Sequence, residues 1–113
     1  MTSFSPREAV VYLRSTQTSA RQAMASLEQQ QEHILGFMAR HDIREVARYL
    51  EITEESFEQL HEAAREAKTR GAFVLLNHVD DLKETIDQLV AEGVNFVSAQ
   101  SANQALFSFG KPV

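Results

Sequence analysis

The sequence predicts an α/β fold, a three-layer α/β/α arrangement around a mainly parallel sheet of four to five strands. Three observations lead there. The run AFVLL at 72–76 is apolar at every position, the pattern of a strand buried on both faces, as central parallel strands are. Short β-branched or aromatic runs alternate with segments of helical period, and that order argues parallel strands joined by right-handed helical crossovers. The 113 residues suffice for one core and are too few for two.

Taken in order, AVVYL at 9–13 reads as a first buried strand, followed by a polar loop from Ser15 to about Arg21. SLEQQQEHILGFMAR then puts Leu27, Ile34, Leu35 and Met38 on one helical face, with the helix ending near His41 and Asp42. A second strand is expected at Val46 to Leu50, diluted by Glu and Arg. Thr53 is the expected N-cap of the next helix, where Phe57, Leu60, Ala64 and Ala67 keep the inward spacing. Lys68 and Arg70 suit its carbonyl end, and Gly71 suits its left-handed stop. AFVLL follows. DDLKETIDQLVAEG gives a third helix with Leu82, Ile86, Leu89 and Val90 inward and Gly93 as its end, and NFVSA begins the next strand. The tail ALFSFGKPV is read as a short edge strand.

Composition narrows the function classes. With 43% hydrophobic and 24% charged residues the chain is of ordinary globular type. A formal charge of −5 opposes free-standing nucleic-acid binding, which rests on basic surface replacing phosphate counterions. No cysteine is present, which excludes disulfides, thiolate chemistry and cysteine zinc sites. The start MTSFSPREA has no signal-like apolar core, and no segment approaches the roughly 20 apolar residues of a membrane span. A cytoplasmic protein is expected, with no membrane contact and no cofactor. The histidines at 33, 41, 61 and 78 lack ligand spacing, so no metal site is expected.

Ligands of open parallel sheets bind beyond the carboxyl ends of the strands, which selects Arg14 to Gln17, Glu51 to Glu54, Asn77 to Asp81 and Ala99 to Asn103. Read together, these ends resemble the N-terminal catalytic domain of the serine recombinases, the resolvase and invertase family. AVVYLRST is similar to the family's Tyr-x-Arg-Val-Ser-Thr start, and SLEQQ to its Ser-Leu-x-x-Gln helix entry. SFEQLHEAAREAKTRGAFVLLNHVDDL is similar to the helix and central strand that run into an Asp-Arg-Leu-Gly-Arg motif. GVNFVSAQSA resembles the fourth strand and its loop. The resemblance covers residues 9 to 108 and rests on four pieces in order.

The resemblance implies a resolvase-like fold and a DNA-cutting ancestry in which a serine hydroxyl forms a phosphoserine link, with arginines offsetting charge on the scissile phosphate. On it, Arg14, Gln30 and Asp80 retain family positions. Thr16 takes the serine position and Ser15 replaces the preceding valine; strand alternation puts Arg14 and Thr16 on one face and Ser15 on the other. Three cations are reversed or lost: Asp81 stands for the arginine of the Asp-Arg pair, Glu84 for the second arginine, and Glu54 for a further one, while Lys83 replaces glycine. The family's long dimerisation helix and helix-turn-helix domain have no counterpart within residues 1–113.

Structural readings stand beside these. Asp81 and Glu84 fit a capping box, Arg14 fits a surface arginine, Tyr12 fits a core residue, and Gln29 to Gln31 fit a solvated helix face. His78 is the histidine nearest the supposed site. Glu51, Glu54, Glu55, Asp80, Asp81 and Glu84 are expected to form an acidic rim. The function expected is a stand-alone, catalytically inactive resolvase-like domain acting through a protein partner or self-association, with Phe107 and Phe109 as candidate contacts and no DNA binding of its own. The alternatives are a residual recombinase fragment using Ser15 or Thr16 with Arg14, and a structural module without any nucleic-acid connection.

Overall fold

The computed structural model describes residues 7–17, 19–52, 56–77 and 82–99. Its elements run β1 (Glu8–Ser15), α1 (Ala20–His41), β2 (Arg44–Ile52), α2 (Glu58–Arg70), β3 (Phe73–Leu76), α3 (Lys83–Ala91) and β4 (Phe96–Ser98). The four strands form one all-parallel sheet in the order β2-β1-β3-β4. The two runs without alternation, AVVYL and AFVLL, are neighbours in its interior, in register from Ala9 opposite Phe73 to Val11 opposite Leu75.

Because side chains alternate across a strand, the two central strands feed two cores. Val10, Tyr12, Val74, Leu76 and Phe96 face α2 and α3, where they meet Leu60, Ala63, Ala64, Ala67, Ile86 and Leu89. Ala9, Val11, Leu13, Phe73, Leu75 and Val97 face α1, where they meet Leu27, Ile34, Phe37 and Met38. The result is three layers, with α1 on one face of the sheet and α2 with α3 on the other. No helix of the described residues is long and apolar enough to cross a membrane.

Several boundaries differ from the sequence reading, each for a local reason. Helix α1 starts at Ala20 rather than Ser26, because the Ser19 hydroxyl accepts the Gln22 amide (3.3 Å) and caps a first turn whose inward position is only Ala23. Leu35 is exposed; Phe37 takes the inward place assigned to it. Strand β2 extends two residues beyond each predicted end, since a parallel neighbour supplies ladder bonds whatever the side chains are. Helix α2 begins at Glu58 with Phe57 at the N-cap, while Thr53 lies outside the described residues. Leu82, without a side-chain cap bond, is the N-cap of α3, so Glu84 does not take the third helical position of a capping box. Gly71 (φ 73°) ends α2 in the left-handed region as its position predicts. The tail strand falls outside the described residues.

Candidate functional site

Strand order reverses at β1: the chain leaves it through α1 to β2 on one side and returns through α2 to β3 on the other. In open α/β sheets the crevice for ligands opens beside such a reversal. Strand β1 pairs with β2 as far as Ser15 but with β3 only as far as Val11, so its last residues diverge from β3. A pocket of about 80 Å³ fills the gap, lined by Tyr12, Arg14, Thr16, Gln30, Leu76, Asn77 and Leu82. That volume holds a few water molecules, well below the 300–1,000 Å³ usual for a drug-sized ligand.

Diverging strands leave backbone groups without a ladder partner, and Gln30 supplies one. Its Oε1 accepts the Arg14 N–H (3.3 Å), and its Nε2 donates to the Arg14 carbonyl (2.7 Å) and to Ser26 Oγ (3.1 Å). One side-chain amide thus replaces a strand at the open edge of β1.

The Arg14 side chain is one-tenth exposed and reaches toward β2 and the start of α2. Its Nη1 lies within reach of three oxygens: the Ser56 carbonyl (2.8 Å), Tyr12 Oη (2.9 Å) and Glu51 Oε1 (3.3 Å). The guanidinium carbon sits 4.6 Å from the centre of the Phe57 ring, within cation–π range. Glu51 collects the remaining donors. Tyr12 Oη donates to its Oε1 (2.7 Å), and Ser56 Oγ (3.1 Å) and the Gln59 amide (2.9 Å) donate to its Oε2. That amide belongs to the first turn of α2, where free N–H groups and the helix dipole favour an anion. Burial first, and the Glu51 carboxylate second, push the Tyr12 phenol well above its ordinary range.

The structure sorts the predicted site residues. Arg14, Thr16 and Gln30 come together at the pocket. Ser15 does not: it is buried on the α1 side of the strand, where its Oγ accepts the Gln17 N–H (3.3 Å). Arg14 is no surface arginine, and Glu51 belongs to no acidic rim, being 4% exposed and paired. Tyr12 is a core residue whose hydroxyl joins the site. Lys83 and Glu84 are exposed at the start of α3, where Lys83 pairs with Asp87 (3.1 Å). Asp80, Asp81, Glu54, Glu55 and His78 lie outside the described residues.

Among the described residues no three His, Asp or Glu groups are placed to share a metal ion. Among the described residues two buried polar atoms, Arg14 Nε and Asn77 Oδ1, lack a hydrogen-bond partner and are shielded from solvent. Each such atom costs about 1–3 kcal/mol.

No family model matches the chain, and no curated protein or solved structure matches it. The resemblance to the serine recombinases rests on its four quoted segments alone.

Sequence reasoning missed Glu51 and Ser56 as partners of Arg14, and the Gln59 amide as a donor to Glu51. The signal was in the register. If β1 and β2 are adjacent and parallel, Arg14 and Glu51 stand side by side at their ends, with side chains on one face.

Proposed function

We propose that this chain is a resolvase-like α/β domain that does not cut DNA and works through association with protein. The observation that carries the reading is the commitment of Arg14. A phosphate oxygen needs a free cation and free donors, yet Arg14 is buried against the Glu51 carboxylate, and Tyr12 Oη and the Gln59 amide donate to the same carboxylate. An internal anion occupies the place an external one would take. Among the described residues, no other cation lines the pocket. The acids at Glu54, Asp81 and Glu84, where the family carries arginines, support the same reading.

A second reading, a residual recombinase fragment, is favoured by one fact: Thr16 lines the same pocket as Arg14. The experiment separates the two. The purified protein is incubated at low salt with supercoiled plasmid and with labelled duplexes, and we expect no nicks, no covalent protein–DNA adduct and no band shift. An adduct that disappears in Thr16→Ala or Ser15→Ala would restore the recombinase and remove the association reading.

A further inference from the structure

We propose that the α1–β2 side of this protein docks a second copy of the same chain, related by a two-fold axis, through Met24, Leu35, Leu50 and Ile52. The inference rests on the association reading and supplies its surface and its partner.

These four are the large apolar side chains that stay exposed among the described residues, each about half open to solvent. They are not scattered. Leu50 and Ile52 alternate with buried or half-buried residues along β2 and share a face of that strand with Arg48. Met24, Glu28, Gln31 and Leu35 follow the four-three-four spacing of a single stripe on α1. Arg48 Nη1 donates to Gln31 Oε1 (2.5 Å), which lays that stripe alongside that face of β2. Edge and helix therefore present one apolar surface with a polar centre.

The edge itself is guarded over only part of its length. Natural edge strands are protected from pairing by charges and bulges, and the first half of β2 has both. Arg44 pairs with Glu8, Glu45 with Arg48, and the register slips at Val46. Beyond Arg48 this face of the strand carries only Leu50 and Ile52.

Charge selects the occupant. Residues 1–52, which include β1, α1 and β2, hold six basic and six acidic residues, whereas the remainder holds five basic and ten acidic. The whole formal charge of −5 therefore falls after the part of the chain that builds this face. On the far side of the sheet, α3 and its cap set Glu84, Asp87 and Glu92 against Lys83. A basic partner would be drawn to that acidic side. An identical, acidic chain approaches at least electrostatic cost through the neutral face, and a two-fold axis then brings the same patch against itself. Four half-exposed side chains amount to no more than the few hundred Å² of apolar patch common on monomers, less than the roughly 800 Å² per partner of a stable complex. The dimer is accordingly a weak one, populated as concentration rises.

The test is sedimentation velocity on the full chain from low micromolar to near-millimolar concentration, with Leu50→Glu/Ile52→Glu and, separately, Met24→Glu. We expect the wild-type protein to shift from monomer toward dimer, and the paired β2 variant to dimerise about a hundredfold more weakly, as loss of two aliphatic contacts implies. Unfolding followed by circular dichroism checks that each variant stays folded, and Met24→Glu on the outer surface of α1 serves if the strand variant does not. A wild-type monomer throughout the range would overturn the inference, as would a dimer that both variants leave undiminished. Neither result bears on DNA cleavage, which the plasmid experiment alone decides, so the two readings fail separately.

Discussion

Glu51 stands at the end of an edge strand, a place where a carboxylate is ordinarily solvated, yet it is 4% exposed. Its burial is tolerable because four donors meet it: Tyr12 Oη, Arg14 Nη1, Ser56 Oγ and the Gln59 amide. The side chain thereby joins the ends of β1 and β2 to the first turn of α2, whose N-cap residue, Phe57, has no oxygen with which to cap it. Removing one member of a buried ion pair leaves the other charge uncompensated, whereas replacing both by apolar groups of similar volume is often close to neutral. We expect Glu51→Ala to destabilise the protein by about 3–5 kcal/mol, measured by urea unfolding. Arg14→Met combined with Glu51→Leu should recover part of that loss, because no uncompensated charge remains, but not all of it, because Tyr12 Oη and the Gln59 amide then lack their acceptor. A Glu51→Ala protein as stable as the parent would mean that Arg14 is solvated and free, and would reopen the pocket to a phosphate.

Gln30 shows the same economy at the scale of an element. Strand β1 must part from β3 to make the crevice, and its Arg14 N–H and C=O then need partners that no strand supplies. A carboxamide is the side chain that both donates and accepts in the plane of a peptide, so Gln30→Glu keeps the shape but loses the donor to the Arg14 carbonyl. We expect Gln30→Glu and Gln30→Leu to cost about 1–3 kcal/mol each. Faster amide exchange at Arg14 is expected in Gln30→Leu, where hydrogen exchange would locate the loss. Unchanged exchange there would show that the clip contributes nothing.

The layer arrangement and the interior place of two strands were legible in the sequence because the period of apolar residues reports burial directly: AVVYL and AFVLL had to be interior, and Gly71 had to end a helix. The start of α1 was not legible, since its first turn carries Arg21 and Gln22 beside a single small inward residue, Ala23. Nor was the role of Glu51 legible. A charged residue in a strand pattern reads as solvent-facing until the neighbouring strand and its register are known. Arg14, Thr16 and Gln30 were found as site residues because position at the end of β1, together with the family resemblance, singled them out; what they touch depended on tertiary contacts 16 to 42 residues away along the chain.

At the scale of the whole molecule, the sheet is the common wall of two cores. Within β3 the side chains of Phe73 and Leu75 belong to the α1 core, and those of Val74 and Leu76 to the core beneath α2 and α3. Four consecutive residues therefore bind both helical layers to one strand, and neither layer can be released without disturbing the other. An unpaired charge placed in such a site costs several kcal/mol, against a total stability of about 5–15 kcal/mol for a domain. We expect Val74→Asp and Leu75→Asp, on opposite faces of the strand, each to abolish cooperative thermal unfolding measured by circular dichroism. The same substitution at exposed Leu50 should leave a sharp transition, because β2 lies at the edge and its side chain there packs against neither core. If Val74→Asp melted only the α2–α3 layer and left the α1 side with a separate transition, the two cores would be independent units and the sheet would not unite them.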